Sequence, residues 1–149
     1  MSERIYVGGD HAAFDLKRRL VAELAGLGYE PVDVGPEALD PADDYPDYGR
    51  PVAEAVSRGA ARRGVLTCGS GIGMAILANR YPGVRAALVW SPELAALSRK
   101  HNDANVLVLP ARFMAEADAV AALRRWLEAD FEGGRHARRV AKIDAVRRD

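Results

Sequence analysis

The run Val65-Leu66-Thr67-Cys68-Gly69-Ser70-Gly71-Ile72-Gly73-Met74-Ala75 constrains the fold of this chain more than any other stretch. Its apolar start reads as a short buried strand and its glycines as a tight turn. A helix is predicted from there over residues 74–80. The same grammar recurs along the chain. Ile5-Tyr6-Val7-Gly8-Gly9 is a strand ending in glycines, followed by a helix over 14–27 in which Leu16, Leu20 and Leu24 share one face. Residues 31–34, 84–89 and 106–109 read as further strands, and 48–58, 92–101 and 115–130 as further helices. Five strand-like runs alternating with helices predict an α/β fold, mainly parallel, with right-handed crossovers. Gly133-Gly134 breaks the last of these helices, and residues 135–143 form a separate basic tail helix.

In such a sheet, chemistry gathers at the carboxyl ends of the strands. There the chain places Asp10-His11, the segment from Cys68 to Gly73, and Arg112. Glycines 69, 71 and 73 are expected to take positive φ and leave their amides free to face an anion, helped by the dipole of the following helix. Cys68 is the only cysteine. At a helix mouth its thiol is expected to be acidified toward neutrality, which makes a usable thiolate; the alternative is a buried, inert cysteine.

Three familiar motifs are absent from this turn. A dinucleotide fingerprint counted from Gly69 or Gly71 ends on Met74 or Ile76, no lysine follows as in a nucleotide-binding phosphate loop, and Met74 stands where a cysteine phosphatase carries an arginine.

Other candidates carry two readings each. Asp10 is a helix N-cap or half of a catalytic pair. The irregular segment 35–47, with Pro36, Pro41, Pro46 and several acidic residues, is long enough to be functional, and its Tyr45 lines a pocket or simply packs. His101 ends a helix, where a cation suits the dipole, and Asn105 is a turn residue. Arg135 and Arg139 share a face of the tail helix and suit a phosphate; alternatively that helix packs on a partner subunit through Val140, Ile143 and Val146.

Composition narrows the classes. A chain of 149 residues, 49% hydrophobic and 28% charged, is that of one ordinary globular domain. Lys+Arg and Asp+Glu balance at 21 each, so no global field favours nucleic acid or a membrane surface, and a small charged ligand fits better. A lone cysteine forms no internal disulfide and no paired zinc spacing. With no apolar run of membrane-spanning length and no signal-like start, a cytoplasmic protein is expected.

Several motifs together resemble a known family. Gly9-Asp10-His11-Ala12, Asp44-Tyr45-Pro46-Asp47-Tyr48, Cys68-Gly69-Ser70-Gly71-Ile72-Gly73, Ala78-Asn79-Arg80 with Gly83-Val84-Arg85, the run from Ser98 to Asn105, and Glu132-Gly133-Gly134-Arg135-His136 resemble the type B ribose-5-phosphate isomerases. That family also includes allose-6-phosphate isomerase and the galactose-6-phosphate isomerase subunits. The resemblance implies a single sugar-phosphate isomerase domain over 1–149, a three-layer α/β/α Rossmann-like fold with a five-stranded parallel sheet, and a C-terminal tail helix. It also implies a homodimer, or a tetramer built from it, with the active site at the dimer seam.

By the same resemblance the chain is a ribose-5-phosphate isomerase of the pentose phosphate pathway, working through a cis-enediolate without metal or cofactor. Cys68 matches the base that moves a proton between C2 and C1, Ser70 a residue that assists ring opening, and His101 its acid/base partner. Asp10 and His11 match substrate-holding positions, and Asn102 matches one near the enediolate; Tyr45, as a pocket-lining residue, and the turn residues Gly69, Gly71, Ile72 and Gly73, for amides aimed at the developing negative charge, join the substrate-binding set. Arg112, Arg135, His136 and Arg139 match phosphate-binding positions. A branch of the family replaces the cysteine by a glutamate at the place held here by Met74, so this chain falls in the cysteine branch. Ala13 departs from the glycine of many members. The competing readings are an isomerase of a six-carbon sugar phosphate or an unphosphorylated aldose, a phosphosugar-binding module without catalysis, and a metal-dependent hydrolase.

Overall fold

The structure is a computed structural model that describes residues 2–146. Five strands, β1 (Arg4–Gly9), β2 (Glu30–Asp33), β3 (Arg63–Cys68), β4 (Ala86–Leu88) and β5 (Val106–Pro110), form one sheet in the order β2-β1-β3-β5-β4. Every pairing is parallel. Six helices cover it: α1 (Phe14–Gly26), α2 (Pro46–Ser57), α3 (Ile72–Ala78), α4 (Pro92–Asn102), α5 (Glu116–Glu128) and α6 (Arg135–Asp144). The three-layer arrangement is the one expected.

The two faces of the sheet follow from alternation along the central strands. Val65, Leu107 and Leu109 point into one core with Leu20 and Leu24 of α1, Ala95 of α4, and Leu123 and Trp126 of α5. Leu66, Val106 and Val108 point into the other with Val52 and Val56 of α2 and Met74 and Ala78 of α3. Both faces are covered by helices, so the central strands are largely apolar, as a doubly covered parallel sheet requires, and the buried Thr67 hydroxyl of β3 donates to Leu109 O at 2.8 Å. Trp126 is fully buried, and the guanidinium of Arg63 lies 5.4 Å from its ring. Arg63 is held in turn by both carboxylate oxygens of Glu3, at 2.9 and 2.7 Å.

Strand order locates the crevice. The chain leaves β1 toward β2 on one side and leaves β3 toward β4 on the other, so neighbouring strands β1 and β3 diverge at their carboxyl ends. This is the switch point where parallel α/β sheets open a binding cleft.

Two helix starts differ by two residues from the sequence-based expectation. α2 begins at Pro46 rather than Tyr48, because a proline is preorganised for the first helical turn and its missing N–H would be unpaired there anyway. α3 begins at Ile72 and ends at Ala78, earlier at both ends than expected, since the turn is complete once Gly71 takes its left-handed conformation at φ 75°.

Candidate active site

Asp10 follows β1 directly and does what a cap does: it opens a short 3-10 turn over His11–Ala13, and its carboxylate accepts from the Ala12 N–H at 3.0 Å. It is also buried at the switch point, 6% exposed. Burial raises its carboxyl above the ordinary value, and the Asp43 carboxylate adds to the rise against the opposing pull of His11 and the Ala12 amide.

His11 comes next, and its ring is held by a residue from the long 35–47 segment. Its Nδ1 lies 2.7 Å from Asp43 Oδ1, and its backbone N–H donates to the same oxygen at 3.3 Å. Asp10, His11 and Asp43 form a cluster of groups able to ligate a cation, with ligand atoms within 4.8 Å of one another. The 2.7 Å contact is a direct hydrogen bond, with no room for an ion between its two atoms.

Cys68 ends β3, 5% exposed. The glycine turn behind it differs from expectation in one respect: of Gly69, Gly71 and Gly73, Gly71 alone has positive φ. The other two are glycines for space. A methyl group on Gly73 would lie 2.5 Å from Tyr45 Cζ, and one on Gly69 3.3 Å from Arg112 Cδ. Ser70 Oγ accepts from the Ile72 N–H at 3.2 Å, which ties the turn to the start of α3.

The thiol itself corrects another expectation. Burial pushes it up from its ordinary value, and the Asp10 carboxylate pushes the same way. The backbone N–H groups of Met74, Gly71 and Ser70 pull it down, and desolvation outweighs them.

The β3–β5 ladder continues past both strands and fixes the last member of this group. The Ala111 N–H donates to Cys68 O and the Arg112 N–H to Gly69 O, both at 2.9 Å. Arg112 therefore hangs over the turn, exposed, with no ion pair to a carboxylate among the described residues. A hollow of about 300 Å³ flanks His11, lined by Phe14, Leu39, Ala111 and Met114. Another, of about 820 Å³, lies far from the thiol at the amino-terminal edge of the sheet, between Glu3, Tyr29 and Arg62.

The remaining sequence candidates sit elsewhere in the same protomer. α4 runs antiparallel to the strands, so its carboxyl end returns to the amino-terminal edge. There Asn105 O accepts from the Gly64 N–H of β3 at 2.9 Å, and Asn105 Oδ1 accepts from Arg85 N at 2.8 Å, which makes Asn105 the turn residue expected. His101 and Asn102, at the end of α4, are thus on the opposite edge from Cys68.

α6 packs beside α4. His101 and His136 stack, with ring centroids 4.3 Å apart and planes 9° apart. Glu132 Oε1 lies 3.7 Å from the Nε2 of each. These three form the other cation-capable cluster among the described residues, though parallel rings send their nitrogen lone pairs side by side rather than toward one point. Burial, the charge of His101 and that of Arg135 hold His136 below its ordinary value. Arg135 and Arg139 are exposed, Val140 is buried, and Ile143 and Val146 are open to solvent.

The structure thus divides the predicted residues into two groups. Asp10, His11, Tyr45, Cys68, Ser70, the turn glycines, Ile72 and Arg112 occupy the carboxyl edge; His101, Asn102, Arg135, His136 and Arg139 occupy the other. Sequence reasoning missed Asp43 and Glu132. Glu132 stood within a quoted motif, but nothing in spacing separates Asp43 from Asp40, Asp44 or Asp47.

A thiol, a clamped histidine and a free arginine at the switch point of a parallel sheet define an α/β protein built to act on a small polar molecule. The chain belongs to the ribose/galactose isomerase family, whose model matches residues 5–143. It is 41% identical over 149 residues to a probable ribose-5-phosphate isomerase B of Mycoplasma pneumoniae, covering 100% of this chain and 98% of that one. The ribose-5-phosphate isomerase B of Escherichia coli is 42% identical over 144 residues, covering 97% and 96%. Among solved structures, the Thermotoga maritima ribose 5-phosphate isomerase superposes with a TM-score of 0.93 at 44% identity, covering 98% of this chain and 100% of that one. The Mycoplasma genitalium ribose-5-phosphate isomerase B, solved with bound ribulose-5-phosphate, gives 0.93 at 41% identity, covering 97% and 95%.

Proposed function

We propose that this chain is an aldose-ketose isomerase that interconverts ribose 5-phosphate and ribulose 5-phosphate as one sugar-phosphate isomerase domain. The observation that carries this reading is the buried thiol of Cys68 at the switch point, at the start of the glycine turn, in a chain whose relatives bear that activity in their names.

The chemistry follows from the reaction. The thiolate takes the proton from C2 of the open-chain aldose, a cis-enediolate forms, and the proton returns at C1, while the hydroxyl proton passes from O2 to O1. Amides of the 69–73 turn are donors for the oxygen on which negative charge develops. Ser70 and His101 open the sugar ring, Asp10, His11 and Tyr45 hold the substrate, and Asn102 lies near the enediolate. Arg112, Arg135, His136 and Arg139 bind the phosphate. The reaction transfers no hydride to an acceptor, so it calls for no redox cofactor.

The active unit is a homodimer in the cytoplasm, with each site built from the carboxyl edge of one copy and the amino edge of the other. Two features support this: the separation of Cys68 from His101 within one protomer, and the exposed apolar side chains Ile72, Ile76 and Phe113, at 54, 59 and 74%, beside the crevice. No helix of the described residues is long and apolar enough to cross a membrane.

The test is conversion of ribose 5-phosphate by the purified protein in the presence of a chelator, with Cys68→Ala alongside. Wild-type turnover that falls about 10²- to 10⁴-fold in the variant supports the isomerase and its base. Turnover retained in the variant removes Cys68 from that role. Turnover confined to six-carbon sugar phosphates moves the substrate assignment.

A further inference from the structure

We infer that Asp43 is a positioning residue for His11, holding the imidazole proton on Nδ1 and aiming Nε2 at the substrate. This rests on the reading of His11 as a substrate-holding residue. The structure brings two observations to it.

First, one oxygen does all the bonding. Asp43 Oδ1 lies 2.7 Å from His11 Nδ1 and accepts from the His11 backbone N–H at 3.3 Å. Ring and backbone of the same residue are gripped at one point, which removes the freedom of the ring to rotate about its side-chain bonds. An acceptor at Nδ1 compels that nitrogen to carry the proton, so Nε2 faces outward in a fixed orientation. The His11 side chain is 31% exposed, enough for that outer nitrogen to meet a ligand, while the Asp43 side chain is 3% exposed.

Second, Asp43 Oδ2 is buried and has no hydrogen-bond partner among the described residues. A residue that only pinned the 35–47 segment to the end of β1 would do so at lower cost as a neutral acceptor. Burying a carboxylate with one idle oxygen is unfavourable unless its charge is used. The group it faces is an imidazole N–H, and a charge-assisted bond of this kind is about twice as strong as a neutral one. The segment is already joined to the end of β1 by other means: the Gly9 N–H donates to Gly35 O at 3.2 Å.

The experiment combines ring NMR with a double-variant comparison in the full chain. Nitrogen-proton correlations of the neutral His11 ring are expected to show the proton on Nδ1 in the parent protein and mainly on Nε2 in Asp43→Ala. With ribose 5-phosphate, Asp43→Ala should lower kcat/KM by about 10- to 100-fold, the scale on which metal-bound histidines respond to loss of their carboxylate partners. The same change in a His11→Gln background should cost nothing further. Asp43→Leu, which keeps the branched shape and offers no acceptor, serves for the same comparison if the alanine variant loses its melting transition. Additive losses in the double variant, or an unchanged tautomer, would overturn the inference. The tautomer signal needs no substrate, so absent turnover in the parent protein would count against the isomerase reading instead.

Discussion

The Tyr45 ring rests on the backbone of Gly73, so closely that an added Cβ would lie 2.5 Å from Tyr45 Cζ and 2.7 Å from its hydroxyl oxygen. The contact joins the long segment before α2 to the start of α3, across the mouth of the crevice. Tyr45 is 38% exposed and has room to swing away. Gly73→Ala is therefore expected to leave stability within about 1 kcal/mol of the parent. If Tyr45 lines the substrate site, the variant raises KM with little change in kcat. Melting and steady-state kinetics on one preparation check both.

Cys68 offers a pH test free of background, since no other thiol is present. Burial sets its pKa above that of an ordinary cysteine. The thiolate fraction, and with it the rate of alkylation by iodoacetamide, should keep rising with pH beyond the range where a free thiol levels off. The linked effect on stability has a definite sign. A raised folded-state value favours the protonated form, so its contribution is complete below the ordinary thiol pKa and is lost as pH climbs through the folded one. A profile that levelled off below a free thiol's would mean that the turn amides outweigh desolvation.

Separation of Cys68 from His101 makes complementation between copies measurable. Cys68→Ala and His101→Ala should each be nearly inactive. Unfolded together, refolded and mixed in equal amounts, they should recover about a quarter of parent activity, because half of the dimers are mixed and each of those has one intact site of two. No recovery from mixed dimers would place both residues of a site on one chain.

Acid stability should depend on Glu3. Its carboxyl is held below the ordinary value by hydrogen bonds from Arg63. The stabilisation is thus present above the ordinary glutamate pKa and is lost as pH falls through the lowered one. The pair is partly screened by solvent, with side chains 11% and 21% exposed. Glu3→Gln should cost about 1 kcal/mol at neutral pH and flatten the acid limb of a denaturation series.

The residues at the carboxyl edge were legible because local pattern decides them. Apolar runs such as Val106-Leu107-Val108-Leu109 can be read as doubly buried strands, and a parallel sheet then dictates that Asp10, Cys68 and Arg112 emerge at one edge. The tail helix and its glycine break were equally plain, with Gly133 and Gly134 at φ 70° and 56°.

Three matters lay outside that reach, for one physical reason: each depends on what comes close from distant parts of the chain. Asp43 is one acid among several until the fold sets it 2.7 Å from His11. The turn suggested an acidified thiol, yet desolvation by the packed core decides the direction. The motif around His101 carries no local mark of which edge it occupies, and the return path of α4 sets it at the edge opposite Cys68. Sequence alone determined the strand and helix periods and the chemical types available. Tertiary structure determined burial and distance, which set protonation and decide which of those groups one protomer can bring together.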